Sequence, residues 1–469
     1  MNQEIYIFVK RNKTMLFSAW LVALCGILFS CDSFVDTDQP NSQLTSSAVF
    51  ESKATAEAAM TDIYAQIREN GIITGKLSGI GNLMGNYSDE LIAYETGSYS
   101  SEPFYNNSIL ASNALISSMW NSAYNQIYAA NAVINGVDNS IALAVADKSQ
   151  LKGEALFVRA LNHFYLVNIF GDVPYVATND YKANSVATRM TTIEVYNKVI
   201  ADLKVVIDLL PQDYVSANRV RPNKATAQAL LARVYLYTGA WSEASNMASA
   251  VLNNESLYVW DENLDNIFLK ESTTTIWQLA PAYEGHNTEE GMVFIFSSGP
   301  PPTVALTNAL MSSFTAGDLR KSHWTLAVTD GSDTWYHAFK YKEKTDTGAT
   351  TEYSIIFRLA EQYLIRAEAR VQQGDLIGAK QDLNKIRHTA GLTDTSADNA
   401  SDIVDAIIKE RRLEFFTEHG QRFFDLKRTG KLDAVLGNKL GWNSNDSLWP
   451  LPQSELQVNP YLKPQNPGY

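Results

Sequence analysis

Apolar side chains recur every three or four residues over much of the chain, which is the spacing of one face of an amphipathic α-helix. Local end signals support this interpretation. Thr191 and Glu194 form a capping box at the start of one helix, and Gly171 followed by Pro174 marks the end of another. The pattern predicts helices over residues 55–69, 116–134, 151–167, 191–210, 222–237 and 242–252.

Two segments share small residues at equal offsets. In each, one Ala lies seven residues before a Gly and a second Ala lies five residues after it, so two helices can approach closely around a tight turn. The matching positions are Ala232, Gly239, Trp241 and Ala244 in the first segment, and Ala367, Gly374, Leu376 and Ala379 in the second. The spacing predicts degenerate tetratricopeptide-like helical hairpins, about four in all, that bury their faces by stacking.

Two stretches interrupt the helical pattern, residues 71–108 and 256–353. Both are rich in glycine and aromatic residues, and long loops in compact domains usually carry function. In the first stretch, Gly79, Gly81 and Gly85 are interpreted as loop glycines, because they follow no strand and open no clear helix.

The second stretch also contains short runs of β character, at residues 275–279 and 293–296. The expected fold class is therefore mainly α. A scaffold of tetratricopeptide-like helical hairpins carries a loop-rich, partly β insert, and residues 71–108 and 256–353 together build the ligand face.

The loop stretches offer the side chains that sugar recognition needs. Flat aromatic faces stack against the C–H groups of a pyranose ring, and planar polar groups bind its hydroxyls. Each single aromatic residue could instead belong to the core, so the ligand face is predicted by region. The candidate ligand-binding residues are Asn86, Tyr87, Asp89, Tyr94, Tyr99, Tyr105, Tyr283, His286, Trp335 and Tyr336.

Residues 403–428 are the most charged helix-plus-turn of the chain. Acids recur every four residues and are followed by cations at helical spacing. Active-site machinery is one interpretation, and a structural ion-pair network that holds this segment against the hairpins is the favoured one. The predicted members are Glu410, Glu414, Glu418, Arg422, Asp425 and Arg428.

Prolines crowd the C-terminal end, from Pro450 to Pro467. Proline removes a backbone donor and breaks helices. The sequence therefore predicts an extended tail without helix, laid along the body.

Charge and motif content limit the function classes. The chain has 469 residues and a formal net charge of −13, which argues against nucleic acid or an anionic membrane surface as a partner. The six histidines form no close pair at the spacing of a metal site, and no nucleophile elbow occurs. We expect no metal, no cofactor, no catalytic residue and no enzymatic activity.

The N-terminal end has the layout of a signal peptide. Basic residues precede an apolar run over 15–29 that is too short for a lasting membrane span. Leu28, Ser30 and Cys31 then resemble a bacterial lipobox, in which the Cys becomes the acylated N-terminus. A signal anchor or an ordinary secretory cleavage is the alternative. The expected segments are a removed signal peptide (1–30), a flexible tether from lipidated Cys31 (31–42) and a single domain (43–469).

Six motifs occur in order along nearly the whole chain, beginning with the lipobox. The others are Trp120 with Tyr124 and Asn131, residues 154–160 leading into 170–174, residues 357–361 before 367–369, residues 410–412 through 420–428, and residues 465–469. In this order they resemble the SusD/RagB family, outer-membrane nutrient-binding lipoproteins of Bacteroidetes.

The resemblance implies a SusD-like tetratricopeptide scaffold and a partner. That partner is a SusC-type TonB-dependent β-barrel transporter, over which the lipoprotein sits as a lid. Family ligands are mostly oligosaccharides, with peptides in the RagB branch. The expected function is capture of an oligosaccharide and its delivery to the transporter. A peptide-binding family member, a surface glycan hydrolase and a tetratricopeptide-like assembly scaffold are the alternatives.

The resemblance also implies a location. Asp32, Asp36 and Asp38 follow the predicted lipid anchor, and such acids act as a surface-export signal in many lipoproteins of this phylum. We therefore expect the protein on the external face of the outer membrane, in contact with the membrane through its lipid alone.

Overall fold

The computed structural model of the protein describes residues 48–97 and 99–469. The predicted signal peptide (1–30), lipidated Cys31 and the tether (31–42) lie outside the described residues. Val49–Tyr469 form one unit by their internal contacts. Within the described ranges, no helix is both long enough and apolar enough to cross a bilayer.

Helices dominate the described chain, as the sequence predicts. They are α1 (Lys53–Asn70), α2 (Ile80–Tyr87), α3 (Glu102–Tyr105), α4 (Ala114–Asn139), α5 (Val145–Phe170), α6 (Tyr181–Asn184), α7 (Thr192–Leu209), α8 (Lys224–Thr238), α9 (Trp241–Leu252), α10 (Glu289–Phe294), α11 (Asn308–Met311), α12 (Leu319–His323), α13 (Leu359–Gln372), α14 (Leu376–Thr389), α15 (Ala400–Phe415), α16 (Gln421–Arg428), α17 (Leu432–Leu436) and α18 (Gln453–Val458). The strands are β1 (Leu91–Ala93), β2 (Thr275–Leu279), β3 (Val304–Leu306), β4 (Thr325–Thr329), β5 (Thr334–Ala338) and β6 (Ser354–Arg358).

The long helices form one continuous stack, in which α4, α5, α7, α8, α9, α13, α14 and α15 each pack against the next. The two predicted hairpins, α8–α9 and α13–α14, are therefore neighbours, and the insert between them is looped out of the stack. Gly239 and Gly374 at the hairpin turns have positive φ angles of 70° and 86°. The mainly α, tetratricopeptide-like prediction is confirmed.

A two-stranded sheet joins the insert to the principal core. β2 pairs antiparallel with β6, which confirms the predicted strand over residues 275–279. Trp277 on β2 is fully buried, and its ring centroid lies 5.1 Å from that of Phe157 on α5 and 5.9 Å from that of Phe357 on β6. The ends of the insert are thus fixed on the helical scaffold.

Helix α2 contradicts the prediction that Gly79, Gly81 and Gly85 form a loop. A Cβ on Gly81 would lie 2.7 Å from the carbonyl oxygen of Thr417, and a Cβ on Gly85 would lie 2.7 Å from Leu91. Gly81 and Gly85 allow these close tertiary contacts because they lack a Cβ. Burial of the helix outweighs the poor helix propensity of glycine.

Two further local predictions are wrong. Residues 293–296 are predicted as a strand, but the first two of them end helix α10. This helix is capped by Thr288, whose hydroxyl accepts from the N–H of Gly291 at 3.1 Å. A short apolar run fits a buried helix as well as a strand. The C-terminal tail is predicted to contain no helix, but it contains α18. The helix can form there because Pro452 and Pro460 flank it rather than interrupt it.

All six side chains of the predicted ion-pair network lie in ion pairs, in three separate groups. The groups are Arg320, Arg358 and Lys340 with Glu410, Glu414 and Glu418; Arg411 and Arg428 with Asp425; and Arg422 with Asp89. Burial alone would raise the pKa of Glu418, yet Arg358 and Lys340 lower it to about 2. The first group joins α15 and the turn after it to the insert.

Candidate ligand-binding face

A four-stranded antiparallel sheet brings the two predicted loop stretches together. Its strand order is β1–β3–β5–β4, so β1 of residues 71–108 pairs with β3 of the insert, Ile92 opposite Ala305. The pairing continues past β1, because the backbone N–H of Tyr94 donates to the carbonyl oxygen of Thr303 at 2.7 Å. Side chains more than 200 residues apart in sequence thereby share one surface.

Trp335 on β5 is the fixed aromatic platform of this surface. Side chains alternate across the strand, and both aromatic residues are half-buried. Tyr336 packs against the cluster that contains Trp324, whereas Trp335 is not part of that cluster. The six-membered ring of the indole packs against Gly299, where a Cβ would lie 1.9 Å from the nearest ring carbon. Glycine at 299 therefore permits this close approach of the indole to the backbone.

Tyr94 lies beside this platform and is 37% exposed. Partial burial raises the pKa of Tyr94, and a hydrogen bond with the Trp335 side chain opposes that rise. Tyr105 and Asp333 lie near enough to raise it further. We call the set Tyr94, Tyr105, Asp333 and Trp335 the aromatic face.

Hydrogen bonds through Ser101 hold the loop that carries Tyr94 against α2. The N–H and hydroxyl of Ser101 both donate to Glu95 at 3.0 Å, and Asn82 of α2 donates to the Ser101 hydroxyl at 2.7 Å. Tyr99 is 71% exposed in the same loop, and no ring contact or hydrogen bond joins it to Trp335 among the described residues. The loop is positioned before any ligand arrives.

Lys439 brings a cation to the Tyr105 side of the aromatic face. Its Nζ lies 5.4 Å from the centre of the Tyr105 ring and donates to the carbonyl oxygen of Asn86. Burial lowers the pKa of Lys439 to about 7, against the opposing effect of Asp89. The amine is therefore only partly charged near neutral pH.

Three predicted ligand-binding residues have their side chains committed to packing. Tyr87 is fully buried, and its ring centroid lies 5.4 Å from that of Phe423. The Asn86 amide, also fully buried, donates to the preceding turn of α2, and both oxygens of Asp89 accept from Arg422 at 2.8 and 2.9 Å. Because α2 is a helix, it turns Asn86 and Tyr87 inward. Asp89 lies just after the helix and is half-buried, with its carboxylate held by Arg422.

Tyr283 and His286 form a separate cluster around Asp346. The Tyr283 hydroxyl donates to Asp346 at 2.9 Å, and His286 Nδ1 lies 2.8 Å from the other Asp346 oxygen. Tyr283 is 57% exposed. In the described part of the chain, no hydrogen bond or ring contact joins this cluster to Tyr94 or Trp335.

Three contributors to the aromatic face were not predicted from the sequence. Asp333 stands two residues before Trp335, and that proximity could have indicated it. Gly299 and Lys439 carry no local signal, because their role comes from chain segments that meet only in the fold. Across the described ranges, no group of three His, Cys, Asp or Glu side chains is placed to hold a metal ion.

A buried carboxyl group behind the sheet gives a pH-dependent prediction. Burial raises the pKa of Glu290 to about 7, although the Ser354 hydroxyl donates to it. Since this value exceeds the unfolded value of 4.5, the folded state holds the extra proton between the two pH values. The contribution of Glu290 to stability is thus fully present below pH 4.5 and is lost as the pH rises to about 7.

The Glu290→Gln variant removes this titration. We expect its free energy of unfolding at pH 8 to exceed the wild-type value by on the order of 2 kcal/mol, and to match it near pH 4.5. Denaturant unfolding at both pH values measures the difference. Glu243→Gln, an exposed change on α9, is the matched control. An equal pH slope in Glu290→Gln and wild type would contradict the assignment.

Two family models match the chain. The model described as "Starch-binding associating with outer membrane" matches residues 33–236, and the SusD family model matches residues 319–469. Together they cover well over half of the sequence, and the second match begins within the insert.

Relatives and solved structures extend over nearly the whole length. SusD-like protein P2 of Formosa agariphila is 28% identical and aligns over 92% of this chain and 96% of its own. A structure described as a laminarin-binding SusD-like protein has a TM-score of 0.76 at 24% identity, covering 89% of this chain and 99% of that one. Surface glycan-binding protein A from Bacteroides uniformis has a TM-score of 0.76 at 20% identity, covering 88% and 99%. On these matches and the shared fold, the chain belongs to the SusD/RagB family.

Proposed function

We propose that the protein captures an oligosaccharide at the cell surface and delivers it to a SusC-type TonB-dependent transporter. The observation that carries the proposal is the aromatic face, where Trp335 packs closely against Gly299 with Tyr94 beside it. The face lies where β1 and the insert meet, on a sheet supported by its own hydrophobic cluster.

The chemistry of the aromatic face suits a sugar chain. The free side of the Trp335 indole offers a flat apolar surface to pyranose C–H groups, and the hydroxyls of Tyr94 and Tyr105 bind sugar hydroxyls. Asp333 adds an acceptor. The binding residues are held in place before the ligand arrives, so little conformational entropy is lost on binding.

Relatives of known description support the same ligand class. One structural neighbour is described as laminarin-binding and another as a surface glycan-binding protein. Both descriptions name binding rather than catalysis, which favours a protein without enzymatic activity.

Delivery follows from the predicted anchor and partner. Lipidated Cys31 would hold the protein at the outer membrane, facing the exterior, and the tether over residues 31–42 would let the body reach the transporter beneath. The bound oligosaccharide then passes to the barrel without covalent chemistry. The family model that names the outer membrane supports this placement.

Titration calorimetry on the full mature protein in detergent tests the ligand class. The panel contains laminarihexaose, maltohexaose, cellohexaose, mannohexaose and a neutral decapeptide. We expect at least one hexasaccharide to bind with a Kd between about 1 μM and 1 mM, and the decapeptide not to bind. Binding of the peptide alone would contradict the proposal, as would release of reducing sugar from any hexasaccharide.

A further inference from the structure

A second open groove lies on the helical scaffold, apart from the aromatic face. It has a volume of about 460 Å³ and runs between α4, residues 174–187 and the tail around α18. None of its lining residues belongs to residues 71–108 or 256–353. The volume is in the range of small-ligand sites.

The groove walls are fixed by hydrogen bonds to α4 and to the tail. The Tyr124 hydroxyl donates to the carbonyl oxygen of Pro174 at 2.8 Å, and the Asn131 amide donates to that of Val176 at 3.1 Å. On the far side, Asn459 donates to the carbonyl oxygen of Ala187 at 2.8 Å. The groove is therefore formed without a ligand.

Aromatic side chains line this groove from its floor to its rim. Trp120 is buried at the floor, with its ring centroid 4.8 Å from that of Tyr124. Tyr128 is 48% exposed, and Tyr181 at the start of α6 is 70% exposed. Two exposed rings, one on α4 and one on α6, thus line the same groove.

Two amides without a hydrogen-bond partner in the described part of the chain also line the groove. Asn121, Asn125 and Tyr128 follow the i, i+4, i+7 spacing of one helix face. The side chains of Asn121 and Asn125 are exposed and make no hydrogen bond within the described part of the chain. Glu455 is the one charged side chain among the lining residues. Burial raises the pKa of its carboxyl group, against a hydrogen bond with Trp120.

This lining selects one ligand class. No lysine, arginine or histidine is among the residues that line the groove, and the amine of Lys182, 6.0 Å from the centre of the Tyr181 ring, stands outside that lining. An anionic ligand would therefore find no cation among the lining residues. No strand edge is present to pair with an extended peptide, and the amides interrupt any continuous apolar surface for a helix. Stacking rings with neutral amides suit a neutral, polyhydroxylated ligand.

We propose that the groove between α4, residues 174–187 and α18 is a second binding site, which takes a neutral oligosaccharide. The protein then holds a glycan at two places, on its insert and on its helical scaffold. A long polysaccharide could be retained at one site while the other binds a free end.

The test uses the full mature protein with Trp335→Ala, in which binding at the aromatic face is weakened. Titration with the same four hexasaccharides and the decapeptide measures what remains. We expect one hexasaccharide to bind, and the added change Tyr128→Ala or Asn125→Ala to weaken that binding at least tenfold. Asn135→Ala, an exposed change on the same helix outside the groove, is expected to leave it unchanged.

The outcomes separate the two sites. The groove proposal is overturned if no hexasaccharide binds the Trp335→Ala protein, if the groove changes have no effect, or if only the decapeptide binds. If Trp335→Ala binds as wild type does and Tyr128→Ala abolishes binding, the groove proposal holds and the aromatic face fails instead.

Discussion

Trp335→Ala is expected to weaken hexasaccharide binding at the aromatic face by about tenfold to a hundredfold. The indole is the one large platform of this face, and truncating a buried aromatic anchor of a binding site costs about 2 kcal/mol or more. Calorimetry in the Tyr128→Ala background, where the groove does not contribute, measures the change directly.

A matched variant separates lost stacking from lost structure. Trp335→Phe keeps a flat ring against Gly299, so we expect it to retain most of the affinity that Trp335→Ala loses. The two variants fill the space over Gly299 differently, and thermal unfolding checks that both remain folded. An affinity in Trp335→Ala equal to that of wild type would exclude Trp335 from the ligand site.

Arg320→Met is expected to lower the free energy of unfolding by about 3–5 kcal/mol. Arg320 has no exposed surface, and its guanidinium binds Asp318 at 2.9 Å, Glu410 at 2.6 Å and Glu414 at 3.0 Å. Methionine fills much of the volume but leaves these carboxylates buried without that cation. Denaturant unfolding monitored by circular dichroism gives the loss.

An exposed ion pair provides the control for Arg320. Lys380 on α14 binds Asp398 at 3.2 Å near the surface, and Lys380→Met is expected to cost less than about 1 kcal/mol. Both changes replace a cation by the same apolar side chain, and they differ in burial and in the number of carboxylates bound, three for Arg320 and one for Lys380. Equal losses in the two variants would show that burial of the Arg320 cluster does not matter for stability.

The local patterns in the sequence were sufficient to predict the helical scaffold. Helical spacing, the capping box at Thr191 and the turn glycines at 239 and 374 act within a few residues of chain, so they could be interpreted before any fold was known. The same local view failed for α2. Its glycines indicate a loop until the backbone of Thr417 is placed against Gly81.

The candidate site was predictable as a region and only partly by residue. Tyr94, Tyr105 and Trp335 were among the predicted contacts and meet at the aromatic face. Tyr87, equally aromatic and also close to glycines in sequence, is fully buried, and Tyr336 packs against the cluster that contains Trp324. Whether such a side chain is buried depends on which neighbouring element covers its side of the helix or strand, and the composition of the sequence does not contain that information.

The sequence by itself determined the stacked helical hairpins, the family and the two stretches that interrupt the stack, since each depends on spacing along the chain. Only the tertiary structure decided which aromatic side chains reach solvent. It did so by pairing β1 with β3 across more than 200 residues and by placing Gly299 under Trp335. Whether a side chain is exposed depends on contacts between residues far apart in sequence, whereas a hydrophobic pattern reflects only residues that are close in sequence.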